Sequence, residues 1–232
     1  MRHEMLDHGY IALVENWGSD ERIVEAARMS TSKSFLGWGP KPDGSPGDEK
    51  LLRFLYEHKH FTPFEMAGMT IEVQAPIFVF REWHRHRTQS YNELSARYTP
   101  LPDVNYVPSL ERLLMNSTTG NKQAATISGS KSLTPDAARD FQQKLESYYR
   151  EAEGLYRSAL VAGISKEIAR IHLPVGRYSK MRASANLRNW LAFLTLRMDE
   201  AAQWEIRQYA NALADMVKDL FPRTYRLFIQ GS

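Results

Sequence analysis

The 232-residue chain contains no cysteine. Disulfides, thiolate metal sites and thiol nucleophiles are therefore excluded at once. No apolar run approaches the roughly 20 residues that a membrane-spanning helix needs. The opening segment Met1–His8 has no apolar stretch of the signal-peptide kind, so a cytoplasmic protein is expected. Excess charge of one sign is missing too. A formal net charge of +3 is too small to mark a nucleic-acid binder. With 43% hydrophobic and 25% charged residues, the chain is neither disordered nor fibrous in composition, and its length suits one substantial core.

What is present is arginine in particular places. Between Lys166 and Arg207 stand eight basic residues against four acidic ones, and six of the eight are arginine. That choice favours anion recognition over mere solvation. The densest stretch is Arg85-His86-Arg87-Thr88-Gln89-Ser90-Tyr91-Asn92-Glu93-Leu94-Ser95-Ala96-Arg97-Tyr98, which holds three arginines and no lysine. It follows the apolar run Ala75–Phe80. Cationic groups at the edge of apolar structure suit an anionic ligand, because guanidinium grips phosphate or carboxylate through paired hydrogen bonds. A plainer reading competes for the first three residues. If Pro76 opens a helix over 76–87, Arg85, His86 and Arg87 fall in its last turn, where cations complement the helix dipole without any ligand. Asn92, Glu93, Ser95 and Arg97 extend the polar set beyond any cap.

The remaining pattern predicts an α+β fold. Tyr10–Val14, Met69–Ala75 and Arg177–Ala185 read as strands. Helices are expected over about 20–29, 48–59, from Thr134-Pro135-Asp136 onward, after Ser165, and over 187–197 and 200–220. Phe141, Leu145, Tyr148, Tyr149, Leu155 and Leu160 supply the stripe of the long helix. The Gly/Pro-rich 30–47 segment and the Ser/Thr/Gly-rich 116–132 segment read as flexible, the first as a lid or mobile surface segment. No internal repeat or domain boundary is evident, and one domain over 1–232 is expected.

Among chemical groups, His58/His60 and His84/His86 form two His-x-His pairs. On a helix, residues two apart point about 200° from each other, so His84 and His86 cannot grip one ion, and no metal is assigned. Arg170, Arg188 and Arg197 stand in segments that otherwise look buried. Arg197, within Leu194-Thr195-Leu196-Arg197-Met198, needs an anionic or strongly polar partner. Trp190, Trp204 and Tyr209 read as core. Ser95 is the one hydroxyl of the signature open to reading as a nucleophile, but no histidine–carboxylate pair stands near it in sequence, which favours hydrogen bonding.

Arg85-His86-Arg87, seven residues and then Ser95 resembles the signature of the flavin-dependent thymidylate synthases, with Ser90–Ser95 and Arg97-Tyr98 completing it. His58–Glu65, Glu167–Pro174 and Asp199–Ile206 are similar to further blocks of that family, in order, over about residues 10–220. The resemblance implies a single α+β domain with a central, mostly antiparallel sheet surrounded by helices. It also implies a homotetramer whose active sites lie at subunit contacts. The implied activity is methylation of dUMP to dTMP with FAD as cofactor, methylenetetrahydrofolate as carbon donor and NADPH as reductant, with neither nucleic acid nor membrane as partner.

Carried over by position, Ser30, His60, Thr62, Glu65, Arg85, His86, Arg87, Asn92, Glu93, Asn186 and Arg188 would hold the flavin cofactor. Glu82, Arg85, Glu93, Leu94, Ser95, Ala96, Arg97, Arg170 and Arg197 would bind dUMP. Arg197 and Ser95 would stand at the catalytic centre, Arg197 drawing charge onto the uracil ring. Three positions depart from the family pattern or sit at its variable points: Glu82 where Gln or Glu occurs, Ala192 where Asn or His is common, and Ala201 in place of a frequent histidine. A non-catalytic nucleotide- or nucleic-acid-binding protein would use the same arginines, and a flavin absorbance spectrum separates the two classes.

Overall fold

The structure is a computed structural model that describes residues 1–115 and 132–231. The segment expected to be flexible near 116–132 falls almost wholly outside the described residues. Among the described residues five strands form one antiparallel sheet: β1 (Arg2–Met5), β2 (Gly9–Trp17), β3 (Gly68–Pro76), β4 (Ser90–Glu93) and β5 (Tyr178–Asn186), in the spatial order β1-β2-β3-β5-β4. The central pair runs in unbroken register from Gly68 opposite Asn186 to Pro76 opposite Tyr178. Residues of period two share a face. Met69, Ile71, Val73, Ala75, Met181, Ala183 and Ala185 are accordingly buried, while Glu72, Gln74, Lys180 and Arg182 alternate with them.

Among the described residues the helices are α1 (Asp20–Arg28), α2 (Asp48–Glu57), α3 (Ile77–Trp83), α4 (Leu110–Leu114), α5 (Pro135–Val161), α6 (Lys166–Ala169), α7 (Leu187–Arg197), α8 (Trp204–Leu220) and α9 (Pro222–Gln230). Short 3-10 turns occupy Met29–Thr31, Thr62–Met66 and Arg170–His172. Trp190, Phe193 and Leu194 of α7 and Ile206, Tyr209, Leu213 and Val217 of α8 join the sheet residues in one core. Trp190 Nε1 donates to the Met69 carbonyl at 3.0 Å, which satisfies the indole where it is fully buried. None of the described helices is long and apolar enough to cross a membrane.

Four expectations need correction. The helix from Pro76 ends at Trp83 with His84 as its cap, so Arg85, His86 and Arg87 lie beyond it, and the Glu82 and Trp83 carbonyls accept from the Arg85 and His86 main-chain amides at 3.4 and 3.0 Å rather than from the side chains of these three residues. The chain instead turns into β4, whose Tyr91 hydroxyl lies 2.8 Å from the His86 carbonyl and 3.2 Å from that of Trp83. Helix α8 begins at Trp204 rather than 200, because the Asp199 carboxylate accepts from the Ala201 amide at 2.7 Å and holds a turn there. Within one chain the stripe of α5 is largely uncovered: Phe141, Tyr148 and Leu155 are exposed, while α5 buries Ala138, Ala152, Glu153 and Tyr156. Trp204, expected in the core, is only half-buried, with the Arg112 guanidinium over its ring.

Candidate active site

Three groups of the expected residues come together, each on different elements. The first is an open cavity of about 520 Å³ lined by Ser30, Lys59, His60, Phe61, Thr62 and Arg188, with Ala27, Leu51, Leu55 and Pro63 as its apolar wall. Ser30 follows α1 in a 3-10 turn and donates its hydroxyl to the Ala27 carbonyl at 3.0 Å. His60 and Thr62 sit where the chain leaves α2, a corner that needs Lys59 in the left-handed region at φ 58°. Arg188, in the first turn of α7, ion-pairs with Glu65, and both are partly exposed. Arg188 therefore does not belong to a buried stretch as its sequence context suggested. It points to the rim.

The second group surrounds Arg197. At the last residue of α7 its side chain is 15% exposed. Nε donates to His86 Nε2 at 2.9 Å, Nη1 to Glu82 Oε2 at 3.0 Å and Nη2 to the Glu82 carbonyl at 2.9 Å. The polar partner that the apolar flanks demanded is thus Glu82 with His86. A guanidinium has five N–H donors. Three are engaged, which leaves one on each terminal nitrogen.

His86 is pulled down to about 4 from its ordinary value, by burial first and then by the Arg197 charge, against a smaller pull from Glu82. At neutral pH it is uncharged. Its Nε2 accepts from Arg197, which places the ring proton on Nδ1. Phe193 packs against the imidazole with ring centres 4.7 Å apart.

The third group follows β4. Leu94 donates its amide to the Lys180 carbonyl at 2.7 Å, and Ala96 is buried. The Ser95 hydroxyl accepts from the Arg97 amide at 3.3 Å, so it serves the turn. Arg97 lies 3.4 Å from the Glu167 carboxylate, and Lys166 donates to the Tyr98 carbonyl at 3.0 Å. These contacts set the Ser95–Tyr98 turn beside the 165–172 segment, whose Arg170 is half-buried in a 3-10 turn.

Asn92 and Glu93 are exposed on β4, opposite Arg182 and Met181. Arg85 and Arg87 are exposed, and among the described residues neither guanidinium has a partner.

One residue that sequence reasoning missed ties the first group to the signature. Asn186 caps α7 by accepting from the Asn189 amide at 3.0 Å, and Asn189 Nδ2 donates to the Thr88 carbonyl at 3.1 Å. The Asn-x-x-Asn spacing at a strand–helix boundary was the available signal. Lys59 was also missed, although it stands between His58 and His60. The paired histidines have separate jobs: His58 stacks on Phe54 with ring centres 4.1 Å apart, and His84 packs edge-on to Tyr91 at 4.8 Å. Among the described residues no group of three metal-ligating side chains converges.

A family model described as thymidylate synthase complementing protein matches residues 12–223. The chain belongs to the flavin-dependent thymidylate synthase family. It is 40% identical over 224 residues to a flavin-dependent thymidylate synthase of Thermus thermophilus, covering 97% of this chain and 77% of that protein. It is 37% identical to that of Thermosipho africanus, covering 99% and 95%. A solved structure of the UMP/dUMP methylase PolB from Streptomyces cacaoi bound with 5-Br dUMP superposes with a TM-score of 0.81 at 32% identity, over 98% of this chain and 97% of that one. Membership in this family agrees with the antiparallel α+β architecture and with the signature that runs through β4.

Proposed function

We infer that this protein makes dTMP by reductive methylation of dUMP, with FAD as cofactor, methylenetetrahydrofolate as carbon donor and NADPH as reductant. The carrying observation is Arg197: a buried guanidinium, held by Glu82 and His86, with two N–H donors still free. Without cysteine, a uracil ring cannot be activated here by thiolate addition. Fixed donors aimed at a carbonyl oxygen and N3 stabilise the negative charge that develops there, and electron density rises at C5. Neutral His86 and Glu82 keep that fork oriented. The resemblance puts Ser95, Arg97, Glu93 and Arg170 around the nucleotide, and PolB, of the same fold, binds a brominated dUMP.

The residues of the open cavity suit a flavin dinucleotide. Arg188 and Lys59 offer cations for a diphosphate, Ser30 and Thr62 offer hydroxyls, and Phe61 offers a ring face. Arg85 and Arg87, unpartnered among the described residues, suit the same anion, and Asn92 and Asn186 complete the set. Bound FAD would supply the hydride chemistry that no side chain can. A site shared between subunits would gather these groups around one ligand, and the uncovered α5 stripe supports a homotetramer. We propose one domain over 1–232 and a cytoplasmic location.

The experiment is an absorbance spectrum of purified protein with saturating FAD, then NADPH with and without dUMP, together with dTMP assayed after adding the folate. Flavin bound and bleached faster with dUMP, followed by dTMP formation, is the expected outcome. Absence of any flavin spectral change leaves a nucleotide-binding protein without redox chemistry.

A further inference from the structure

Outside the three groups stands one large charged side chain that is almost fully buried and takes no part in the chemistry above. Arg177 is 1% exposed. Its Nη1 donates to Asp103 Oδ1 at 3.1 Å and its Nη2 to the Leu101 carbonyl at 3.2 Å. The same Nη1 lies 2.8 Å from Glu153 Oε2 on α5, a charge contact without hydrogen-bond alignment. Its main chain is tied as well: its carbonyl accepts from the Ile77 amide at 2.9 Å, and it bridges to Asn105. Four stretches of chain therefore meet on one residue: the start of α3, the strand-like 101–105, the middle of α5 and the entry to β5.

Two of those stretches carry the nucleotide group. Leu101–Asp103 begins three residues after Tyr98, so the Arg177 fork fixes the far end of the Ser95–Tyr98 turn. Helix α5 holds the 165–172 segment, since His172 Nε2 lies 2.8 Å from the Ala152 carbonyl, one residue before Glu153. Arg170 and Arg97 thus stand on two pieces of chain that Arg177 links through Asp103 on one side and Glu153 on the other. A planar fork reaches a carbonyl, a carboxylate and a second carboxylate together, which one ammonium does less well. The packing leaves little slack, for a Cβ on the preceding Gly176 would lie 2.4 Å from the Tyr149 hydroxyl.

We propose that Arg177 is a positioning residue for the nucleotide: it sets the spacing between Arg97 and Arg170 without touching the ligand. This rests on the reading that those arginines bind dUMP. The test compares wild type, Arg177→Met and Asp103→Asn by equilibrium binding of dUMP and of FAD, well below each protein's melting temperature. In the methionine variant Glu153 keeps Arg157 on Oε1 at 2.6 Å while its buried Oε2 loses the Arg177 charge, and Asp103 is half exposed, so Asp103→Asn is the milder of the two changes.

Weakening one charge-assisted contact to the nucleotide raises a dissociation constant on the order of 10-fold or more, and that is the rise expected for dUMP in Arg177→Met. Asp103→Asn should move in the same direction by less, with FAD affinity unchanged in both. Arg177→Lys should recover part of the loss. Unchanged dUMP affinity in the folded variants overturns the proposal, and so does an equal loss of FAD and dUMP affinity, which marks a general structural role. If Arg177→Met does not fold, Asp103→Asn decides alone. Failure of the wild type to bind dUMP sinks the reading of the site itself, and the inference with it.

Discussion

Arg197 and Arg188 sit at opposite ends of α7, nine residues apart in number, and differ in nearly every physical respect. Arg197 is largely buried and spends three donors on Glu82 and His86. Arg188 is half exposed, with a single carboxylate partner at the rim of an open cavity. The first is preorganised inside one chain before any ligand arrives, and the second awaits one. Preorganised donors act on the barrier to reaction, whereas groups at an open rim act on binding. On the proposed reading, one helix presents chemistry at its C-terminal end and ligand capture at its N-terminal end.

The sharpest way to break this contrast is Arg197→Lys. It keeps the charge and loses the fork, and dTMP formation should fall on the order of 100-fold or more, typical of losing one preorganised donor. Flavin reduction by NADPH should persist. Near-normal dTMP formation would remove Arg197 from its role. Next in size is Arg87→Ala. Having no partner among the described residues, Arg87 should matter to FAD binding by about 1.5–3 kcal/mol and hardly to the melting temperature. A large drop in melting temperature with unchanged flavin affinity would contradict it.

The Arg197 end should also be sensitive to acid. His86 in the fold binds its proton near 4 against an ordinary 6.5, so the unfolded chain takes up the proton first as pH falls. The stability tied to neutral His86 is complete above about pH 6.5 and is lost as pH falls toward 4. Melting curves across that window should slope less steeply for His86→Gln than for wild type, and identical slopes would contradict the assignment. The smallest effect belongs to the other end. Glu65→Gln breaks a pair exposed on both sides and should cost at most about 0.5 kcal/mol of stability by denaturant titration. A loss several times larger would make the cavity rim as rigid as the Arg197 pocket.

Helix α7 was legible from the sequence to the residue, because Asn186 is a strong cap and an apolar run follows it. The central strands were legible to within a few residues for the same kind of reason: their alternation is buried on one side. Edge strand β4 was not. Ser90-Tyr91-Asn92-Glu93 is mostly exposed, and its strand character comes from pairing with β5, a partner about ninety positions away that no local pattern announces. The end of α3 was overrun because Arg85–Arg87 suit a helix terminus. The helix gives way to a turn in which the Tyr91 hydroxyl reaches back to the carbonyls of Trp83 and His86, again a partner outside the window. Of the site, the signature and its resemblance supplied the residue identities. That Arg197 would find Glu82 and His86 needed the fold.

The pairing of β3 with β5 carries a consequence for how the protein comes to be folded. Thr70 and Ser184 share a hydrogen bond although they are 114 residues apart in sequence. The middle of the sheet is therefore closed by a contact of large sequence separation, the kind that slows folding relative to local contacts. The whole signature lies inside the loop that this contact closes. The entropy of closure grows only slowly with length, each doubling adding about 0.6 kcal/mol. A change in the length of that loop would therefore add little to the cost of closure while the pairing of β3 with β5 is kept.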